Sequence, residues 1–516
     1  MYNGEQYLPS KERLLLLQAA ILFLFTLILF RLWFFQIYKG QENQQKARNN
    51  ITRQEPIYAP RGVIRDRNGV LLADNNPSYG LALIREQCKD ISGLLSQVSQ
   101  WTGRKRSDLQ ETFAKGKNHV KPFNPQLLVP NLDFQELARI ETHLMDWPEL
   151  QIVARPLRGY PKGKVMSHIL GFVAQADKQE LRENPDLDLG DMIGKQGVEQ
   201  AHESRLRGQK GRLRKVVNAQ GKKLKETVME LPEPGRNLFL TIDFELQDHV
   251  GRLMADKAGA AVVMSPENGE ILAMVSSPDY DNNLFVQGVE EKAWERLRSD
   301  PKHPMQNRVI GSAYPPGSVF KLLVTAAALS QGGISPETEV YCPGKYRLGR
   351  GVFRCWKEWG HGRLDLFEAV KQSCDVYFYT LGHELGVDLI SSYARSNGFG
   401  RKTGLDLPGE SKGLVPDREW KLRRFGQKWQ GGETVILAIG QGYMLVTPLQ
   451  TARFVGALAN GGDLLVPKLS LYEPVRKQGS LQLSDRDRRF ILRAMVATVE
   501  EPHGTASSLR TPGAVV

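Results

Sequence analysis

Ser318 and Lys321 stand three residues apart at the start of the strongly helical run AYPPGSVFKLLVTAAALSQGG. Positions i and i+3 share one helix face, so the ammonium is expected beside the hydroxyl. A serine hydroxyl is a weak nucleophile until a neighbouring base takes its proton. Burial among apolar groups near a helix N-terminus disfavours a charged lysine and makes it usable as that base. The backbone N–H of Ser318 can also donate to an oxyanion developing on a carbonyl. The pair therefore points to acyl transfer through Ser318. S-x-x-K alone is a weak pattern, since chance supplies about one or two matches in a chain this long. Ser299 and Lys302 form such a match, with Pro301 inside it and no helix after it, and we assign it to chance.

Downstream, in RLDLFEAVKQSCDVYFYTLG, Asp365 and Glu368 form a capping pair for a helix ending near Gln372. Ser373, Cys374 and Asp375 then interrupt that helix before a second one. An S-x-D on such a corner offers a second hydroxyl to pass a proton to a leaving amine and a carboxylate to orient it; ordinary helix capping is the plainer use. Cys342, Cys355 and Cys374 lie close in sequence, with His361 between the last two. Three thiolates and an imidazole complete a tetrahedral zinc set. Their spacing is not finger-like, and a Cys342–Cys355 disulfide or buried unbonded thiols are the alternatives. The fourth cysteine, Cys88, reads as core.

The elements that must position these residues belong to a chain of 516 residues, with 69 Lys and Arg against 57 Asp and Glu, hence a net charge of +12. At about 150 residues per domain this is several domains. Four cysteines exclude a disulfide scaffold, and a mean hydropathy of −0.37 excludes a multi-span membrane protein. One span can hide in that average: Leu14 to Phe35 is interrupted only by Gln18, Thr26 and Arg31. At about 1.5 Å per residue, this run is long enough for a bilayer core. No small-residue cleavage site follows it, so an uncleaved single-pass anchor is expected, with the large part of the chain exported.

After the span, PRGVIRDRNGVLLADN alternates around Asn68-Gly69, a hairpin signal. The segment from about 85 to 185 reads as structural. Nine Lys or Arg from Arg205 to Lys225 read as the solvated face of strands returning to this first module, because no aromatic residues interleave to stack bases. Ala260–Met264 and Glu270–Val275 should pair antiparallel across Asn268-Gly269 beside a helix, the start of an α+β domain. Thr447-Pro448 is a helix start, and Gly461 its end.

Through these motifs the chain resembles the class B penicillin-binding proteins, whose motif set is S-x-x-K, S-x-N or S-x-D, and K-T-G. Within them it is most similar to the penicillin-binding protein 2 subfamily of rod-shape elongation. The resemblance spans nearly the whole chain: the anchor, PRGVIRDRNG, GKQGVEQ, LTIDFELQ, YPPGSVFK, CWKEWGHGRL, SCDVYFY and GQGYMLVTPLQ. Asp375, where many relatives have Asn, agrees with this subgroup.

The resemblance implies an α+β fold with a cytoplasmic tail at 1–13, an anchor at 14–35 and a β-rich N-terminal pedestal or dimerisation module at 36–231. A head insertion occupies about 85–190 of that module, and a transpeptidase domain runs over 236–516. It implies Ser318 as acylated nucleophile, Lys321 as general base, and Ser373 with Asp375 as the proton-relay and orienting pair. The substrate would be the D-Ala-D-Ala stem peptide of peptidoglycan, the acceptor an amine on a neighbouring strand, and β-lactams would acylate Ser318. It favours one structural zinc ion on Cys342, Cys355, His361 and Cys374. Partners would be membrane lipid, a SEDS-type glycosyltransferase and shape-determining membrane proteins, with no nucleic acid; the location would be the inner membrane, catalytic domain periplasmic.

Lys402-Thr403-Gly404 matches K-T-G but sits in the Gly-bounded loop GFGRKTGLDLPGE, and we assign it no catalytic role. The family's third motif lies on an edge strand further downstream, so the sequence is expected to stop short of it. A D,D-carboxypeptidase or β-lactamase-like acyl hydrolase shares the nucleophile. A non-catalytic scaffold of the elongation machinery is the alternative of a different class.

Overall fold

The computed structural model describes residues 11–41, 52–117, 120, 122–188, 190–217, 223–286, 288–331 and 334–511. The expected tail lies outside them except for residues 11–13, which are already helical. The helix Lys11–Trp33 continues as a π-helical turn over Phe34–Tyr38. Within it, Leu14–Tyr38 is long and apolar enough to cross a membrane, with mean hydropathy 2.4 and an exposed surface. Thr26 Oγ1 donates back to Leu22 O at 2.7 Å, which satisfies its polar group inside the helix.

The chain forms two compact units. The first comprises Met1–Ala59, Ser78–Arg155 and Gln209–Glu233. In it, Gly211–Val217 is the middle strand of an antiparallel sheet between Thr52–Ile57 and Lys223–Glu230. From Arg212 onward the basic run lies on these strands, while Arg205 belongs to the helix Glu203–Leu206: Lys215 pairs with Glu55 at 2.5 Å and Arg212 with Glu230 at 3.3 Å. A solvated sheet face is thus what this stretch forms; its residues 218–222 lie outside the described set. Elsewhere in the unit, Tyr79–Leu83 pairs with Gln126–Leu132. The helices Ile91–Thr102, Arg106–Lys117 and Phe134–His143 belong to the same region. Its core is Leu81, Leu94, Val98, Trp101, Val129 and Ile140, with half-buried Cys88 against it.

The second unit comprises Pro60–Pro77, Pro156–Gly208 and Pro234–Val516. Residues 60–77 and 156–208, grouped by the sequence with the N-terminal module, therefore pack in the unit that holds the catalytic motifs. The cause is one shared core, in which Ile64, Leu72, Tyr160, Ile169 and Val198 meet Leu238, Ile271, Val309 and Leu449. Beside that core, fully buried Glu199 pairs with Arg61 at 2.7 Å and Arg158 at 2.6 Å. Breaking such a buried pair from one side costs about 3–5 kcal/mol.

The expected turns form. Asp66 accepts from Asn68 N and Val70 N around the Asn68-Gly69 hairpin, where Gly69 has φ +88°. Its other oxygen accepts from Phe244 N at 3.0 Å, where the helix Phe244–Met254 starts. Gly259–Met264 and Ile271–Ser277 pair antiparallel, as the Asn268-Gly269 turn between the two apolar runs requires. That helix packs on this hairpin: its buried Gln247 exchanges hydrogen bonds with the backbone of Met274. Thr447 caps Pro448–Ala459 through a capping box with Gln450. The rest is mostly helical, with short two-stranded ladders such as Val340–Cys342 on Gly362–Leu364. Phe320–Ser330, Leu366–Lys371, Asp375–Ser396, Gly431–Ala438 and Asp485–Glu500 enclose Leu323, Val324, Ala369, Phe378, Val435 and Ile491.

Candidate active site and metal cluster

Ser318 lies in a short 3-10 turn, Gly317–Val319, that leads into the helix Phe320–Ser330. Proline cannot continue a ladder and glycine can reverse one, so Pro315-Pro316-Gly317 starts the helix abruptly. Gly317 has φ +61°, and its N–H donates to Gly440 O at 2.9 Å. This contact is close: a Cβ on Gly440 would stand 2.2 Å from Gly317 O. The Ser318 side chain is exposed, and its N–H stands in the first turn, where no intrahelical acceptor exists.

Lys321 is buried at 2% exposure. Its Nζ donates to Ser373 O at 2.9 Å, Ser373 Oγ at 3.0 Å and Asp375 Oδ1 at 2.6 Å. All three ammonium hydrogens are thereby engaged, and Nζ also lies 5.5 Å from the centre of the Phe378 ring. The hydroxyl bonded to Lys321 is that of Ser373; Ser318 Oγ makes no hydrogen bond among the described residues. The S-x-x-K and S-x-D motifs are nonetheless one side-chain cluster, joined by the lysine.

The S-x-D corner ends a helix. Asp365 caps Leu366–Lys371 by accepting from Glu368 N at 2.9 Å. At the other end, Cys374 N donates to Ala369 O and Ser373 N to Val370 O. These two bonds define a Schellman motif, whose left-handed residue is usually glycine. Here that residue is Ser373, with φ +51°. A serine in this region costs roughly 1–3 kcal/mol and is held only where its surroundings fix it.

Trp356 supplies part of that fixing. Its Nε1–H donates to Ser373 O at 3.0 Å and Gln372 O at 3.2 Å, and its backbone N–H donates to Asp375 Oδ2 at 2.9 Å. The sequence assigned Trp356 no role. The tryptophan in CWKEWG carried no signal for a bond to a residue 17 positions away.

The four-residue cluster also converges. Cys342, Cys355, His361 and Cys374 bring one ligand atom each to within 4.8 Å of one another. All four cysteines are free thiols, so a Cys342–Cys355 disulfide is not formed. His361 Nδ1 is 3.6 Å from both Cys342 Sγ and Cys355 Sγ. Tetrahedral zinc, with bonds of about 2.3 Å to sulfur and about 2.0–2.1 Å to nitrogen, sets that edge at about 3.6 Å. A hydrogen bond from Cys374 pulls the Cys355 thiol down to about 4 and pushes Cys374 up. Burial lowers the His361 imidazole, which favours the neutral ring that ligates metal. Donor set and spacing fit one zinc ion.

The K-T-G lookalike is a folded loop. Thr403 is buried, with its N–H and hydroxyl both donating to Glu410 Oε1, while Gly404 N donates to Glu410 Oε2. Ser299 ends the helix Glu291–Ser299 with its hydroxyl on Glu295 O. Neither lookalike belongs to the Lys321 cluster.

Comparison with known proteins matches two family models to the chain in linear order. The family model of the penicillin binding protein transpeptidase domain matches residues 259–516, and that of the penicillin-binding protein dimerisation domain matches 56–240. The peptidoglycan D,D-transpeptidase MrdA of Escherichia coli K12 is 34% identical over 476 residues, 91% of this chain and 75% of the relative. Its Haemophilus influenzae counterpart is 33% identical over 466 residues, 89% and 71% of the two chains. Among solved structures, PBP2 in complex with MreC from Helicobacter pylori superposes with a TM-score of 0.82 at 32% identity, over 90% of this chain and 88% of that one. Pseudomonas aeruginosa PBP2 in complex with WCK 5153 gives 0.66 at 32% identity, over 89% and 83%. This chain therefore belongs to the penicillin-binding protein family, with a dimerisation domain followed by a transpeptidase domain.

Proposed function

We propose that this protein is a membrane-anchored serine D,D-transpeptidase that cross-links peptidoglycan during cell elongation and is inhibited by β-lactams. The observation that carries the site assignment is the Lys321 ammonium, buried three residues from Ser318 and bonded at once to Ser373 and Asp375. Ser318 Oγ attacks the penultimate D-Ala carbonyl of a stem peptide, and Lys321, acting in its neutral amine form, takes its proton. The Ser318 N–H, aimed out of the first helical turn, stabilises the oxyanion. Collapse of the tetrahedral intermediate breaks the peptide bond. Ser373, 3.0 Å from Lys321 Nζ, relays the proton to the departing D-Ala amine. Asp375 orients the lysine throughout. An amine on a neighbouring strand then attacks the acyl-serine, gives up its proton along the same relay, and leaves a new peptide cross-link.

Cys342, Cys355, His361 and Cys374 would hold one structural zinc ion, which would supply a cross-link and no reaction chemistry. Because Cys374 lies between Ser373 and Asp375, its thiolate would tie down the corner that carries both. The apolar helix Leu14–Tyr38 supports reading the protein as a single-pass protein of the inner membrane with its catalytic domain in the periplasm. Its partners are membrane lipid, a SEDS-type glycosyltransferase and shape-determining proteins such as MreC, with which a similar structure is complexed.

Intact mass of the full chain before and after benzylpenicillin, on wild type and Ser318→Ala, tests the reading. A stable adduct on wild type alone is expected. An adduct on both, or on neither, would sink Ser318 as nucleophile.

A further inference from the structure

We infer that Trp356 is a positioning residue for the transpeptidase reaction: it holds the Ser373–Asp375 corner in register with Lys321, and the cysteine–histidine cluster holds Trp356. The inference rests on the site reading above and deepens it.

Lys321 and Trp356 grip the same two groups. Ser373 O accepts from Lys321 Nζ at 2.9 Å and from Trp356 Nε1 at 3.0 Å. The Asp375 carboxylate accepts from Lys321 Nζ on Oδ1 at 2.6 Å and from Trp356 N on Oδ2 at 2.9 Å. The Ser373 carbonyl and the Asp375 carboxylate, though not the Ser373 hydroxyl, are thus shared by the lysine and the tryptophan. A carbonyl at φ +51° has no regular partner in either adjoining helix, so these two donors set its direction. Removing one leaves the corner free to relax toward an ordinary helical geometry, which would move Ser373 Oγ away from Lys321.

Trp356 is itself an exposed side chain, at 60%, and packing alone does not fix it. Its loop is tied at both ends instead. Cys355 precedes it, and the His361 ring packs edge-on at 5.4 Å from its indole. The Cys355 and His361 ligand atoms converge with those of Cys342 and Cys374. Metal on this cluster would fix the loop and, through Trp356, the relay. Trp359 lies on the same loop and is 90% exposed, which makes it the internal control.

The test uses the full detergent-solubilised chain. Trp356→Phe keeps a ring against His361 and removes the Nε1–H donor. The rate of benzylpenicillin acylation is expected to fall roughly tenfold, the size of one lost hydrogen bond. Zinc per chain by elemental analysis and Tm should stay at wild-type values, and Trp359→Phe should acylate at the wild-type rate. A second measurement does not depend on activity. In 5-fluorotryptophan-labelled wild type, the Trp356 fluorine resonance, assigned by substitution, should shift or broaden on zinc chelation. Wild-type acylation by Trp356→Phe with zinc retained, or a Trp356 resonance indifferent to chelation, would overturn the inference alone. A wild type that takes no penicillin adduct, or purifies without metal, removes the underlying site reading as well.

Discussion

Ser373 shows how one residue can combine a backbone and a side-chain duty. The Schellman corner asks for glycine, and glycine would relax the strained φ of +51°, yet it would bring no hydroxyl to Lys321. The strain is retained where the hydroxyl is used. His168 shows a different residue-scale device. It is buried against Tyr280, its Nε2–H donates to Pro304 O at 2.8 Å, and burial lowers its imidazole to about 4 from 6.5. The folded state keeps this histidine neutral, while the unfolded chain takes up a proton below 6.5. Stability from this group is therefore full above pH 6.5 and is lost as pH falls from 6.5 to about 4. The whole effect is about 3 kcal/mol. Tm measured from pH 7.5 to 4.5 should fall more steeply for wild type than for His168→Gln; parallel curves would contradict the assignment.

Among the elements, the nucleophile turn depends on a neighbour that contributes no side chain. Gly440 has φ +72°, and its backbone accepts from Gly317 N at 2.9 Å. A methyl there would meet Gly317 O at 2.2 Å and Phe320 Cβ at 2.7 Å, both parts of the turn that carries Ser318. Backbone atoms cannot swing aside as a flexible side chain can. Gly440→Ala should therefore displace the 3-10 turn, lower stability by roughly 1–3 kcal/mol, and slow penicillin acylation at least as severely. Thermal unfolding and the acylation rate check both effects. An alanine variant with wild-type acylation would show that the turn is not seated on this segment.

For the whole molecule, the described residues hold one helix long and apolar enough to cross a bilayer, Leu14–Tyr38. Its apolar surface is exposed, as a face meant for lipid would be. Removing residues 1–41 should move the protein from the detergent-rich to the aqueous phase on Triton X-114 partitioning, while leaving the stoichiometry of penicillin labelling unchanged. Retention of the shortened chain in the detergent phase would place membrane attachment elsewhere. The two compact units also differ from the linear order of the chain, since the second takes in residues 60–77 and 156–208.

Local signals in the sequence determined much of this. Asn-Gly turns, the Asp365 and Thr447 caps, the apolar anchor run and the S-x-x-K and S-x-D spacings depend on neighbours within about one or two turns, and each is encoded where it acts. The four cysteine and histidine ligands were legible as a chemical set. Their convergence was not, because no finger-like spacing brings them together. The bond from Lys321 to Ser373 spans 52 positions, and that from Glu199 to Arg61 spans 138. Contacts of that separation exist only after long loops have closed around a packed core, and a periodicity or motif holds no record of which pairs will meet. Trp356 is the clearest case. Its indole and backbone N–H gain a role only once the cluster, the strained corner and the buried lysine have been folded to within hydrogen-bonding distance.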